Sequence, residues 1–213
     1  MRTFTFFLLL SSSVFAQGPL MQSILPRMET ARLDITETAE LFSDADYAYR
    51  LNAPQRSIAE WMQHNISMNY ATCGQISTTP PADTTKVRNM TAKSELLPML
   101  QQSFDYCAAA FKSFNDETAL KSFQVQGRAA AIPANVMIGL VTLWNEHYGN
   151  MVGYIRTKGM VPPSTTPRPP GSANVAPNCS GPGRGPCGSR SQLASLTACQ
   201  IPLRSEEHTS ELQ

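Results

Sequence analysis

The chain has 213 residues, of which 42% are apolar and 8% aromatic, and its 17 Lys and Arg residues offset 16 Asp and Glu residues to leave a formal charge of +1. This near-neutral balance argues against a nucleic-acid partner, because nucleic-acid-binding domains carry a basic face or stripe. The length suits one domain with flanking tails, and the crowding of Pro and Gly after Val161 indicates that the folded part is shorter than the chain.

Residues 1–16 have the pattern of a secretory signal peptide, with an early cation at Arg2, an apolar run over residues 4–10 and small residues up to Ala16. We predict cleavage after Ala16. The apolar run is far shorter than the ~20 residues of a membrane span, so an uncleaved anchor or a lipid attachment is the weaker alternative. The mature protein is expected to be exported, periplasmic or secreted, with no stable membrane span, in a compartment where disulfides persist.

Residues 17–161 are predicted to form one domain of four amphipathic helices, because no run of alternating apolar and polar residues indicates a strand. Apolar residues at steps of three and four predict the first helix over roughly 21–42, with Pro26 tolerated near its start. The second helix is predicted to begin at a capping box formed by Ser57 and Glu60.

The third and fourth helices are predicted from their terminal residues. Ser94 is the predicted N-cap of the third helix, because it places Pro98 in the first turn, where a missing N–H costs little. The fourth helix is predicted to begin near Pro133 and to stop at Gly159. Four helices without strands predict an all-α four-helix bundle, in which the connection at about 77–93 is long enough to cross over the bundle.

Two segments follow the predicted bundle. Residues 162–203 are rich in Pro, Gly and Ser and hold too little apolar surface to offset the entropy of ordering. We interpret them as a disordered tail, with out-of-frame sequence as the alternative. Residues 204–213 resemble the in-frame translation of a sequencing-library adapter and are interpreted as an artefact, which removes His208 from any site argument.

Three sequence stretches carry a family resemblance: NEHYGNMV at 145–152 with the YIR, KG and VPPS that follow it, RSIAE at 56–60, and LQQSFDYC at 100–107. Together they resemble the DinB-like (damage-inducible protein B) four-helix bundles. The resemblance covers residues 20–164, and the stretch in the fourth helix is its most specific part. It implies a DinB-like fold and, from enzymatic relatives, thiol-dependent S-transferase or isomerase chemistry.

The resemblance also implies a divalent metal ion, Zn, Ni or Mn, held by three histidines. One would lie in the middle of the second helix and two, four residues apart, on the fourth. His64 matches the first of these positions and His147 matches the last, whereas Leu143 occupies the position of the remaining histidine. Histidines at i and i+4 share a helix face and can reach one ion, so the implied ligand set is incomplete in this chain.

Three polar residues are candidates to replace the missing ligand: Glu60, Glu146 and Asn150. Helical periodicity favours Glu60, which lies four residues before His64, over Glu146, which points about 100° away from His147. The alternative is that both histidines are hydrogen-bonded core residues that bind no metal.

Cys73 and Cys107 lie in the predicted bundle, and the other three of the five cysteines lie in the predicted tail. In an exported protein we predict a Cys73–Cys107 disulfide, since both residues lie toward the C-terminal ends of their helices. Those ends meet only if the two helices run in the same direction, which the long connection allows. The alternative is a pair of buried thiols.

These observations lead to two functional hypotheses. The first is an exported DinB-like bundle that binds a divalent metal ion near His64 and His147 and acts on a small thiol. The second is a non-catalytic bundle that has lost the metal and serves in homodimerisation or in binding an apolar small molecule. The chain has no Gly-rich phosphate loop and no G-x-S-x-G motif, so nucleotide-binding and hydrolase functions have no support from motifs.

Overall fold

The structure is a computed structural model that describes residues 18–168 as a bundle of α-helices. The helices are α1 (Pro19–Leu41), α2 (Ile58–Cys73), α3 (Lys93–Lys112), α4 (Asp116–Ala119) and α5 (Pro133–Thr157). Short 3-10 turns lie at Asp44–Ala48, Val87–Asn89 and Pro163–Thr165. The predicted all-α class is therefore confirmed, and the short α4 is an addition to the four predicted helices.

The part of the chain from 18 to 168 contains no β-strand, and its β pairing is limited to an isolated antiparallel bridge between Phe123 and Ala131. In the same range no helix is both long enough and apolar enough to cross a membrane. The predicted signal peptide and the adapter-like segment lie outside the described residues.

The start of α1 is capped by a distant side chain. The backbone amides of Leu20 and Met21 donate to the two carboxylate oxygens of Asp116 in α4, each at 2.9 Å. Gly18 permits this approach, because a Cβ atom there would lie 2.3 Å from an oxygen of Asp116. The carboxylate satisfies two of the amides that an N-terminal helix turn leaves free. Helix α1 begins at Pro19, slightly earlier than predicted, and Pro26 lies inside it.

The capping box predicted at the start of α2 is confirmed. Ser57 Oγ accepts the backbone N–H of Glu60 at 3.2 Å, and the Glu60 carboxylate accepts the backbone N–H of Ser57 at 2.8 Å. This reciprocal pair fixes the first turn of α2, and thereby the position of His64 one turn later.

Helix α3 begins at Lys93 with Ala92 as its N-cap, so the predicted Ser94 cap is wrong. Lys93, the first residue of α3, connects this start to α1. Its ammonium group donates to the backbone carbonyls of Glu40 at 2.8 Å and Phe42 at 2.7 Å, at the C-terminal end of α1. The contact satisfies two terminal carbonyls and places a positive charge at the negative end of the α1 dipole.

Helix α5 starts at Pro133 and is followed by Gly159, which has a φ of +72°. A positive φ is strained for residues with a side chain, so the glycine ends the helix as predicted. One face of α5 is buried along its whole length: Met137, Leu140, Val141, Trp144, His147, Tyr148, Met151, Tyr154 and Ile155.

The four long helices form a closed ring, in which α1 packs against α3 and α5, and α2 packs against the same two helices. Helices α2 and α3 run in the same direction, because Asn69 pairs with Ser103 and Cys73 pairs with Cys107 further along both helices. The two cysteines form a disulfide with Cα atoms 5.3 Å apart. The connection over residues 74–92 therefore returns the chain to the end at which α2 starts.

A polar network lies inside the apolar core where α2, α3 and α5 meet. Trp144 Nε1 donates to Asn69 Oδ1 at 2.7 Å, and Asn69 Nδ2 donates to Ser103 Oγ at 3.0 Å. All three residues are fully buried. Because an unpaired buried amide is costly, these bonds favour one register of the three helices over others.

Residues 162–168, predicted as the beginning of a disordered tail, continue the folded domain. The Tyr148 and Ser164 hydroxyls are hydrogen-bonded at 2.8 Å, and the Arg168 guanidinium forms an ion pair with Asp34 of α1 at 2.8 Å. The folded region therefore extends beyond the predicted domain boundary.

Candidate functional site

His64 and His147 face each other where α2 packs against α5. The centres of their imidazole rings are 4.8 Å apart. His147 lies on the buried face of α5 and is 7% exposed, whereas His64 lies at the edge of the buried face of α2 and is half-buried. The fold thus brings together the two histidines that the family resemblance singled out.

Asn65 determines the orientation of the His147 ring. Its Nδ2 donates to the backbone carbonyl of Trp61 at 2.9 Å, so its Oδ1 is the atom that lies 3.1 Å from His147 Nδ1. Because Oδ1 can only accept, Nδ1 carries the proton and Nε2 keeps its lone pair. This tautomer is the one that a metal ligand or a general base needs.

Trp61 forms the wall beside both histidines. Its ring centre lies 5.4 Å from that of His147 and 6.2 Å from that of His64. The guanidinium carbon of Arg56 lies 5.0 Å from the centre of the Trp61 ring, in the range of a cation–π contact. We refer to Arg56, Trp61, His64 and His147 as the histidine cluster.

Both imidazoles of the cluster are held in the neutral form. Burial lowers the pKa of His64, and the positive charge of Arg56 lowers it further. Burial lowers the pKa of His147 to about 4, with smaller contributions from His64 and Arg56. Neutral imidazole is the form that binds a metal ion or accepts a proton.

Glu60 does not join the histidine cluster. Its two carboxylate oxygens each accept a hydrogen bond from Arg50, at 2.5 Å. Arg50 lowers the pKa of the Glu60 carboxyl, which therefore stays ionised. The two side chains line a separate cavity of about 670 Å³ that also contacts Lys93.

Leu143 lies one turn before His147 and is 40% exposed. Its side chain has no atom that can bind a cation. Among residues 18–168, no three His, Cys, Asp or Glu side chains converge in a way that could hold a metal ion. The described part of the chain therefore offers two imidazoles and no third protein ligand of these types.

A cavity of about 540 Å³ opens beside the histidine cluster. It is lined by Pro54, Gln55, Arg56, Trp61, Glu146, His147 and Asn150. Of the three predicted substitute ligands, Glu146 and Asn150 share this cavity with His147, whereas Glu60 does not. Asn150 Nδ2 donates to the backbone carbonyl of Glu146 at 3.0 Å, which leaves the amide oxygen as its acceptor atom.

The distance between the two imidazole rings matches that between two imidazoles bound to one divalent ion. Zinc–nitrogen bonds of about 2.0–2.1 Å place the ring centres of two imidazoles on one tetrahedral ion roughly 5 Å apart, close to the 4.8 Å between His64 and His147. The remaining positions around the ion would be filled by water or by a bound molecule.

Asn65 and Arg56 were not predicted as site residues. A signal for Asn65 was present, because its spacing of four residues from Trp61 and Asn69 places it on a buried helix face, where an amide must find a partner. Arg56 gave no comparable signal, since its contact with Trp61 depends on how the chain enters α2.

No family model matches the chain, and no curated protein matches it. Among solved structures, the crystal structure of a DinB-like protein from Bacillus cereus is similar to this chain, with a TM-score of 0.53 and 14% sequence identity, over 68% of this chain and 93% of that one. The chain has a DinB-like fold. This confirms the predicted fold class, and at 14% identity the similarity concerns the fold alone.

Proposed function

We propose that this DinB-like bundle binds one divalent metal ion through His64 and His147, and that the adjoining cavity receives a small molecule. The observation that carries the proposal is the pair of neutral imidazoles 4.8 Å apart, one of which has its Nε2 kept unprotonated by Asn65. Two protein ligands hold an ion more weakly than three or four, so we expect weak binding of Zn, Ni or Mn.

A bound divalent ion supplies Lewis acidity, which lowers the pKa of a coordinated thiol or water. The residues of the chain have separate roles around it. Asn65 orients the ring of His147, and Trp61 covers both imidazoles from one side. The resemblance to DinB-like relatives makes a low-molecular-weight thiol the first substrate to test.

We also propose that the protein acts outside the cytoplasm. The signal-peptide pattern of residues 1–16 is the main support. The disulfide between Cys73 and Cys107 adds support, because disulfides persist mainly in oxidising compartments.

Calorimetric titration of Zn, Ni and Mn into the purified protein tests the metal site. We expect one weakly bound ion per chain and no binding in the His64→Gln/His147→Gln double variant. Leu143→His restores a histidine four residues before His147, on the same face of α5, and is expected to tighten binding roughly tenfold or more.

Leu120→His is the matched control, because Leu120 is 62% exposed and lies outside the histidine cluster. It adds an imidazole and should not tighten binding. Equal binding by the parent and the double variant would contradict the proposed site. Binding by Leu143→His alone would also contradict it, and would favour the non-catalytic bundle that has lost its metal.

A further inference from the structure

Arg56 carries a positive charge that forms no ion pair with any other residue of the described range 18–168. Two contacts hold the residue in place. Its backbone carbonyl accepts the hydroxyl of Tyr154 at 2.7 Å, and its guanidinium lies 5.0 Å from the centre of the Trp61 ring. A cation–π contact with an aromatic face does not use the N–H groups of the guanidinium as hydrogen-bond donors, so they stay available to a ligand.

A second donor beside the same cavity lacks a partner in the described part of the chain. Trp61, which lines the same cavity, has a buried Nε1–H with no acceptor among the described residues. Arg56 is the one arginine or lysine among the described residues that line the cavity. Glu146 is the one anion there.

We propose that this cavity binds a small molecule with a single carboxylate group, and that Arg56 is the residue that binds the carboxylate. This inference rests on the proposed function, since it names the class of small molecule that the same cavity receives. The contact between Arg56 and the carboxylate does not need the metal ion.

The chemistry of the two groups favours a carboxylate monoanion. The planar guanidinium presents paired N–H donors that match the two oxygens of a carboxylate. Arg56 brings one positive charge to the cavity, which a single carboxylate neutralises, whereas a dianion would leave an excess negative charge beside the Glu146 carboxylate. The cation–π contact with Trp61 also restricts the guanidinium, which reduces the entropy lost when a ligand binds.

Titrations of benzoate and benzamide into the metal-free protein, in the presence of EDTA, test the inference. These probes have nearly the same shape and differ in charge. We expect benzoate to bind and benzamide to bind at least about tenfold more weakly, as loss of a charge-assisted pair predicts. Arg56→Gln should weaken benzoate binding by a similar factor, while Arg88→Gln, an exposed arginine that lines the other cavity, should leave it unchanged.

Three results would overturn the inference: no benzoate binding by the parent, equal binding of benzoate and benzamide, or equal benzoate binding by the parent and Arg56→Gln. Circular dichroism of Arg56→Gln establishes that the bundle is folded. Zinc titration of the same variant separates the two proposals, because Arg56→Gln should retain metal binding that the histidine double variant loses.

Discussion

His147 takes its chemical character from the residues around it. Burial between α2 and α5 lowers its pKa to about 4, and Asn65 fixes which ring nitrogen carries the proton. His64, at the more exposed edge of the cluster, also has a lowered pKa because of burial. Because both pKa values are lowered, the two imidazoles remain available as ligands to a lower pH than free histidine.

The lowered pKa of His147 makes the free energy of unfolding depend on pH. The unfolded chain takes up a proton at a histidine near pH 6.5, whereas folded His147 takes it up only near pH 4. The contribution to stability is therefore complete above about pH 6.5 and is lost progressively as the pH falls toward 4. In the metal-free protein we expect this residue to lower the free energy of unfolding by up to about 3 kcal/mol on acidification.

Urea unfolding at pH 7.5 and pH 4.5, for the parent and for His147→Gln, measures this contribution. Carboxylates also titrate in this range, so the relevant quantity is the difference between the two proteins. The parent should lose more stability than His147→Gln on acidification. An equal loss in both would show that His147 is not held neutral by the fold.

The helices of this bundle start for different physical reasons. Helix α2 is capped by Ser57, the residue just before it. Helix α1 is capped by Asp116, which lies more than 90 positions away in the sequence. Helix α3 begins at Lys93, whose ammonium group binds the end of α1. The start of α2 therefore depends on neighbouring residues, whereas that of α1 depends on a residue far away in the sequence.

The variants Ser57→Ala and Ser94→Ala test two predicted helix N-caps. The structure contains the cap at Ser57 but not the cap at Ser94. Ser57→Ala removes the acceptor for the Glu60 backbone N–H and should lower the free energy of unfolding by about 1 kcal/mol. Ser94 is exposed and does not cap a helix, so Ser94→Ala should change the free energy of unfolding by less than about 0.5 kcal/mol. Urea unfolding curves measure both effects, and equal losses would contradict the assigned start of α3.

The parts of the fold that could be predicted from the sequence are therefore those that depend on local signals. Helical periodicity, the Ser57 capping box and Gly159 identified the four long helices, because these features act over a few residues. The approach of Asp116 to the start of α1 depends on tertiary packing and left no local pattern. In the candidate site, the family resemblance pointed to His64, but the pairing of Glu60 with Arg50 could be recognised only once the chain was folded.

At the scale of the whole molecule, the segment after α5 is part of the bundle. Pro163 is buried, and the segment packs against α1. Arg168 then forms ion pairs with Asp34 at 2.8 Å and with Glu37 at 2.7 Å. Burial raises the pKa of the Asp34 carboxyl, and the hydrogen bond from Arg168 opposes this effect. The segment therefore supplies the cation that a buried carboxylate on α1 requires.

Arg168→Met should destabilise the whole bundle, because it leaves the Asp34 carboxylate buried without this cation. We expect the free energy of unfolding to fall by about 3 kcal/mol at pH 7, as it does when other buried ion pairs lose one partner. Adding Asp34→Asn removes the buried charge and should recover part of that loss. Arg156→Met is the control, since Arg156 is exposed and forms no ion pair within residues 18–168. If thermal and urea unfolding show the same small change for Arg168→Met and Arg156→Met, the segment does not contribute to the stability of the bundle.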